Sequence, residues 1–225
     1  MAIAFDAAAA SSATTGTSVT YSHTCSGSNL ILFVGVNVFN PGTDDVTGVT
    51  YGGVAMTQIT TVTNALGAGQ TNYLYYLVSP KTGSNNVIAS KSVSATFRCC
   101  SASYTLAAQS GVADASGTNT SATSSISKAL TTVADNCWMV SFVFNDANVN
   151  NAGSGTTKRV DNTYSAIGDS NGAITPAASY SMAWSSTGAC NWVLVQASFA
   201  PSALSSTNYL KRGRGRLSLS GVSLG

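Results

Sequence analysis

The chain has 225 residues, a formal net charge of +2 and 8% charged residues, against about a quarter in an ordinary globular domain. It contains no glutamate and one histidine, His23, which leaves little material for acid/base or metal chemistry. No apolar run reaches the roughly 18 residues of a membrane-crossing helix, so a membrane partner is not expected.

From the start, residues 1–10 carry no basic n-region, include Asp6 and lack a leucine-rich core, so they do not read as a secretion signal, and release into the cytoplasm is expected. Residues 2–5 suit a short strand. Residues 18–25 suit a second, with Val19, Tyr21, His23 and Cys25 on one face. The run LILFVGVNV at 30–38 is apolar on both alternating faces, as a central strand is. Gly52-Gly53 between 49–51 and 54–59 predicts a tight hairpin, because both central positions can take positive φ. Residues 72–78 form a strand, a turn follows at Ser79-Pro80-Lys81-Thr82-Gly83, and 86–90 and 94–107 carry further strands.

Residues 111–121 are rich in Ser, Thr, Gly and Asn and are expected to be an exposed connection. Strands follow at 126–133, 137–144, 159–161, 179–184 and 190–199. Helical turns fit only at 64–69 or 167–178, and no βαβ crossover is supported. The strand count of about a dozen, with short polar turns, predicts an antiparallel two-sheet β-sandwich over residues 1–203, jelly-roll-like before immunoglobulin-like.

Five cysteines, at 25, 99, 100, 137 and 190, include no C-x-x-C pair. Adjacent Cys99 and Cys100 point to opposite faces of a strand, so neither a shared metal nor a mutual disulfide is expected; buried thiols are the default, with a Cys137–Cys190 bridge as the alternative.

Candidate chemistry is sparse. Gly168-Asp169-Ser170-Asn171-Gly172 matches G-x-S-x-G, but polar loop residues flank it and no histidine follows it, so a Gly-rich loop is the better account than a hydrolase elbow. Asp146-Ala147-Asn148-Val149-Asn150 begins like a calcium loop yet lacks the sixth-position glycine and closing glutamate, and Asp44-Asp45 are adjacent carboxylates that diverge on a turn. No metal, cofactor or catalytic residue is expected. Tyr73, Tyr75 and Trp184 are the aromatics on which a sugar could stack, although each sits in an apolar alternating run that equally suits a core.

Charge divides the chain at its end. Residues 1–203 hold six Lys/Arg and eight Asp, whereas 204–225 hold Lys211, Arg212, Arg214 and Arg216 and no acid. This basic, Gly/Ser-rich segment is expected to be an extended arm, with Tyr209, Leu210, Leu217 and Leu219 as apolar anchors on a neighbouring subunit. A loose terminus is the bland reading; nucleic-acid contact through RGRGR is disfavoured because no aromatic interleaves the four cations.

The succession HTCSGSNLILFVGVNVF, VTGVTYGGVAMTQI and NYLYYLVSPKTGSNNV, continued by ASYSMAWSS and CNWVLVQASFAP, resembles β-sandwich structural proteins of bacteriophage virions over roughly 200 residues, and some extracellular polysaccharide-associated proteins of bacteria. The resemblance implies a non-enzymatic virion component: a capsid decoration or cement protein, or a tail or fibre protein. Its partners would be the major capsid or tail protein, in a symmetric homo-oligomer such as a trimer. The alternatives are a carbohydrate- or receptor-binding module, and a hydrolase using Ser170.

Overall fold

The computed structural model describes residues 2–39, 46–64, 69–147 and 150–203. Among them the chain is all-β, in antiparallel sheets without a helix. Numbered in chain order, an eight-stranded sheet holds β1 (Ala4–Ala10), β2 (Thr14–Cys25), β3 (Ile31–Phe39), β4 (Val46–Tyr51), β5 (Val54–Ala55), β6 (Thr57–Asn64), β7 (Gln70–Val78) and β8 (Gly83–Thr105). A five-stranded sheet comprises β9 (Ala115–Ser121), β11 (Trp138–Asn145), β13 (Thr157–Asp161), β14 (Ser165–Asp169) and β16 (Trp192–Phe199). The remaining β10 (Ser125–Thr131), β12 (Asn151–Ala152) and β15 (Ser179–Ser185) make a three-stranded sheet.

The 23-residue β8 organises the first sheet. Its first half pairs with β2 and β4, its second half with β1 and β3, and β7 and β6 extend the β3 edge. Between the halves the register against β2 jumps from Gly16–Ala95 to Ser18–Ser90, leaving residues 91–94 of β8 as a corner where Val93 is exposed. Extra residues on one strand bend it and increase its twist. The two halves of the sheet therefore close face to face over a first core, in which Leu32, Val34 and Val36 of β3 meet Val49, Tyr51 and Val87.

The opposite face of β3 meets the five-stranded sheet. Phe33 and Tyr104 pack on Phe199, with ring centroids 4.9 and 5.0 Å apart, beside Val140 and Phe142 of β11. The other face of that sheet meets the three-stranded one, where Val143, Trp192 and Leu194 enclose Ile126 and Trp184, and Met139 meets Leu130 and Met182. Three cores are thus stacked, and three sheets replace the two expected. The cause lies in strands β3, β11 and β16, which carry apolar residues on both faces and so need cover on both sides.

Several expectations hold. Gly52 and Gly53 both have positive φ, 54° and 82°, and the hairpin pairs Tyr51 with Val54. Cys99 and Cys100 lie in different cores. Others are corrected. Residues 86–90 and 94–107 belong to one bent strand up to Thr105, because a polar corner interrupts the alternation without ending the chain's extension. The connection at 111–121 contains β9, which pairs along the edge of β16; backbone hydrogen bonds need no apolar side chains. The possible helical turn at 167–178 is the end of β14 and a bridge between Cys137 and Ile174, whereas 65–68 lie outside the described residues.

Candidate functional site

The sugar-stacking trio does not form an open platform. Tyr73 and Tyr75 lie in the first core, 0% and 4% exposed, and Trp184 lies at 0% in the third, its Nε1 donating to Ser141 Oγ at 2.9 Å. Each occupies an inward position of its strand, so no ring face is open to a ligand. Residues Tyr209, Leu210, Lys211, Arg212, Arg214, Arg216, Leu217 and Leu219 lie outside the described residues. All five cysteines are free and buried, so the Cys137–Cys190 bridge is absent: Cys137 Sγ faces Asp114 Oδ2 at 3.6 Å, and Cys190 Sγ faces Ser186 Oγ at 3.3 Å.

His23 is sealed inside the fold, 1% exposed. Its Nδ1 lies 2.9 Å from Ser101 Oγ and its Nε2 lies 3.0 Å from Ser103 Oγ; Ser103 Oγ in turn donates to Asp6 Oδ2 at 2.7 Å. Because the Ser103 proton goes to the carboxylate, that hydroxyl accepts from Nε2–H, and Nδ1 is left to accept from Ser101. Burial lowers the imidazole pKa from 6.5 to about 4, against the opposing pull of Asp6, so the ring is neutral at pH 7. A Ser–His–Ser–Asp chain has the ingredients of a nucleophile relay, yet both ring nitrogens are engaged by serines on the neighbouring β8, with no open side for a substrate. Ser170 belongs to another network, accepting from Met139 N at 3.1 Å and donating to Gly172 O at 3.0 Å.

Asp169, expected in a loop, ends the buried strand β14. Arg159 grips its carboxylate through Nε (2.6 Å) and Nη2 (2.9 Å), Tyr104 OH donates at 3.0 Å, and the Asn171 amide donates at 2.9 Å. The guanidinium also lies over the Phe5 ring, 4.2 Å from its centroid. This constellation ties β1, β8, β13 and β14 together and is saturated.

A different arrangement occupies the opening between the eight- and five-stranded sheets. Cross-strand register places Gln70, Phe39 and Thr96 side by side on β7, β3 and β8, and one step inward places Asn72, Asn37 and Arg98 in a second row. Period two puts both rows on the same face as Phe33. Asn37 Nδ2 donates to Asn72 Oδ1 at 2.8 Å, and Asn72 Nδ2 reaches across to Val193 O of β16 at 2.8 Å. From the facing side come Phe144 of β11 and, in the connections next to that sheet, Tyr164, stacked on Phe144 at 6.3 Å and 16°, and Asp146. These residues line an open cavity of about 340 Å³.

Arg98 is the central group of that cavity. Its guanidinium lies 4.5 Å from the Tyr164 centroid and 5.8 Å from that of Phe144. It has no ion pair among the described residues, and its buried Nε has no hydrogen-bond acceptor. Burial lowers its pKa from the usual value, with Tyr164 acting in the opposite sense. Gln70 Oε1, on the same wall, is likewise buried without a donor. Sequence reading passed over these residues: Arg98 looks like one cation inside an alternating strand, and only the sheet register gathers its neighbours.

No protein-family model matches this chain, and neither a curated protein nor a solved structure is found to match it.

Proposed function

We propose that the chain is a structural protein of a bacteriophage particle, a capsid decoration or cement protein or another particle-surface component, acting through subunit–subunit contacts and not by catalysis. In this reading the two sheets on the central core are the jelly-roll-like sandwich unit, and the three-stranded sheet is an added layer. The observation that supports it is how the ionisable groups are used: His23, Asp6, Asp169 and Arg159 are all engaged in holding strands together. The densest run of cations in the sequence is Lys211, Arg212, Arg214 and Arg216, which in this reading complement the net −2 of residues 1–203 on a neighbouring copy or on the major capsid or tail protein.

Deleting residues 204–225 tests this. The truncated protein should keep its β-sheet circular dichroism and melting temperature yet enter particles poorly and lose its homo-oligomeric state, a trimer or other closed ring, in light scattering. Normal incorporation of the truncation would remove the arm from the proposal, and absence of the full chain from purified particles would remove the proposal itself.

A second reading, a carbohydrate- or receptor-binding module, is favoured by the cavity around Arg98, which combines aromatic walls with unmatched polar groups as small-molecule sites do.

A further inference from the structure

We infer that the cavity around Arg98 binds a saccharide bearing a single carboxylate, of the uronic-acid class. The inference rests on the second reading above and is independent of the virion assignment.

Among the described residues two arginines stack on aromatic rings, Arg98 and Arg159, and they differ in what completes them. Arg159 over Phe5 is completed by the Asp169 carboxylate, gripped through two nitrogens, and by Asn171 Oδ1 at 2.7 Å. Arg98 over Tyr164 has the same aromatic support and no ion-paired carboxylate among the described residues. A partly desolvated guanidinium is costly until an anion meets it, and its planar fork of N–H donors matches the two oxygens of a carboxylate.

The rest of the cavity narrows the ligand. Gln70 Oε1 is a buried acceptor without a donor, which a sugar hydroxyl would supply. Thr96 adds a hydroxyl beside it. Asp146 brings one negative charge, held by the Asn191 amide at 2.9 Å and Asn191 Nδ2 at 2.8 Å, so the wall as a whole is near neutral. One carboxylate can face Arg98 while its hydroxyl-rich remainder meets the rest of the wall, whereas phosphate or a polyanion would bring a second charge against Asp146. At the rim the Phe39 ring is 39% exposed and offers an apolar face to the C–H side of a pyranose. The volume, about 340 Å³, lies at the lower end of the range for small-molecule sites.

Isothermal titration of the full chain with galacturonate, with neutral galactose and with inorganic phosphate tests this. Galacturonate should bind at least about tenfold more tightly than the neutral sugar or phosphate, the discrimination expected of one charge-assisted bidentate contact. Arg98→Gln should abolish the preference, and Arg98→Lys should restore only part of it because an ammonium lacks the fork. Phe39→Ala, at an exposed position that leaves the fold secure, should weaken galacturonate binding several-fold with an unchanged melting temperature. Equal binding of acidic and neutral sugars would overturn the inference while keeping a glycan-binding module. Phosphate binding as tight as the acidic sugar would overturn the saccharide assignment, and binding of none of the three would overturn both the inference and the reading beneath it.

Discussion

A Cβ built on Gly35 would lie 2.1 Å from Cγ of Phe142, so the ring of Phe142 in β11 occupies the space above the glycine in β3. This contact lets the eight- and five-stranded sheets approach at the middle of the central core. Gly35→Ala should therefore destabilise by about 3 kcal/mol, the upper part of the range for overpacking a core. Phe142→Leu in the Gly35→Ala background should cost at least about 1 kcal/mol less than the two single changes combined, because the clash is shared. Urea denaturation of the four proteins measures this, and strict additivity would show that the ring moves aside freely.

Asp169→Asn leaves Arg159 half-buried against a neutral amide and deprives Tyr104 of its charged acceptor. Breaking one side of a buried pair costs about 3 to 5 kcal/mol. A drop of that size in unfolding free energy is expected, with Arg159→Met/Asp169→Leu recovering much of it, since a buried pair replaced by apolar groups is often neutral. Recovery failing while Asp169→Asn is benign would place the stability of β13 and β14 elsewhere.

His23 makes stability depend on pH in a defined direction. Its folded pKa, about 4, lies below the unfolded value of 6.5, so between those limits the unfolded chain binds more protons and stability rises with pH. The full contribution is present above about pH 6.5; it declines as the pH falls and levels off below about 4, amounting to roughly 3 kcal/mol. His23→Gln should flatten this part of the pH profile whatever its absolute stability. A wild-type profile already flat from pH 7 to 4.5 would mean that the buried ring accepts a proton in the native state.

The thiols should be silent in the native protein. All five cysteines are buried and free, and burial pushes the Cys137 thiol up to about 12, with Asp114 adding to the effect. Ellman's reagent should titrate five thiols per chain after denaturation and fewer than one, over minutes, before it. Rapid release of one native thiol would point to Cys190, which has 9% exposure.

Much of the fold was legible. Alternation along residues 18–25 correctly grouped Val19, Tyr21, His23 and Cys25 on an inward face, and the Gly-Gly turn gave the β4–β5 hairpin. The run at 30–38, apolar on both faces, marked β3 as central, whereas β11 and β16 were legible only as strands. The continuity of β8 was hidden because its corner is polar and exposed, and β9 was hidden because an edge strand can be held by its backbone alone. The Arg98 cavity gave no local signal at all, since its walls come from β3, β7, β8 and the facing sheet.

By itself, then, the order of residues determined the class of structure, the central strand β3 and the inward face of residues 18–25, because period-two alternation and turn chemistry act within a few neighbours. Tertiary structure alone decided that the sheets number three, that His23 meets Ser101 and Ser103, and that Arg159 gains a carboxylate while Arg98 does not. Those outcomes depend on strand register and on contacts between segments far apart in sequence, 80 residues for His23 and Ser103 and 121 for Asn72 and Val193, whose partners compete throughout the chain and are selected by the burial of whole faces.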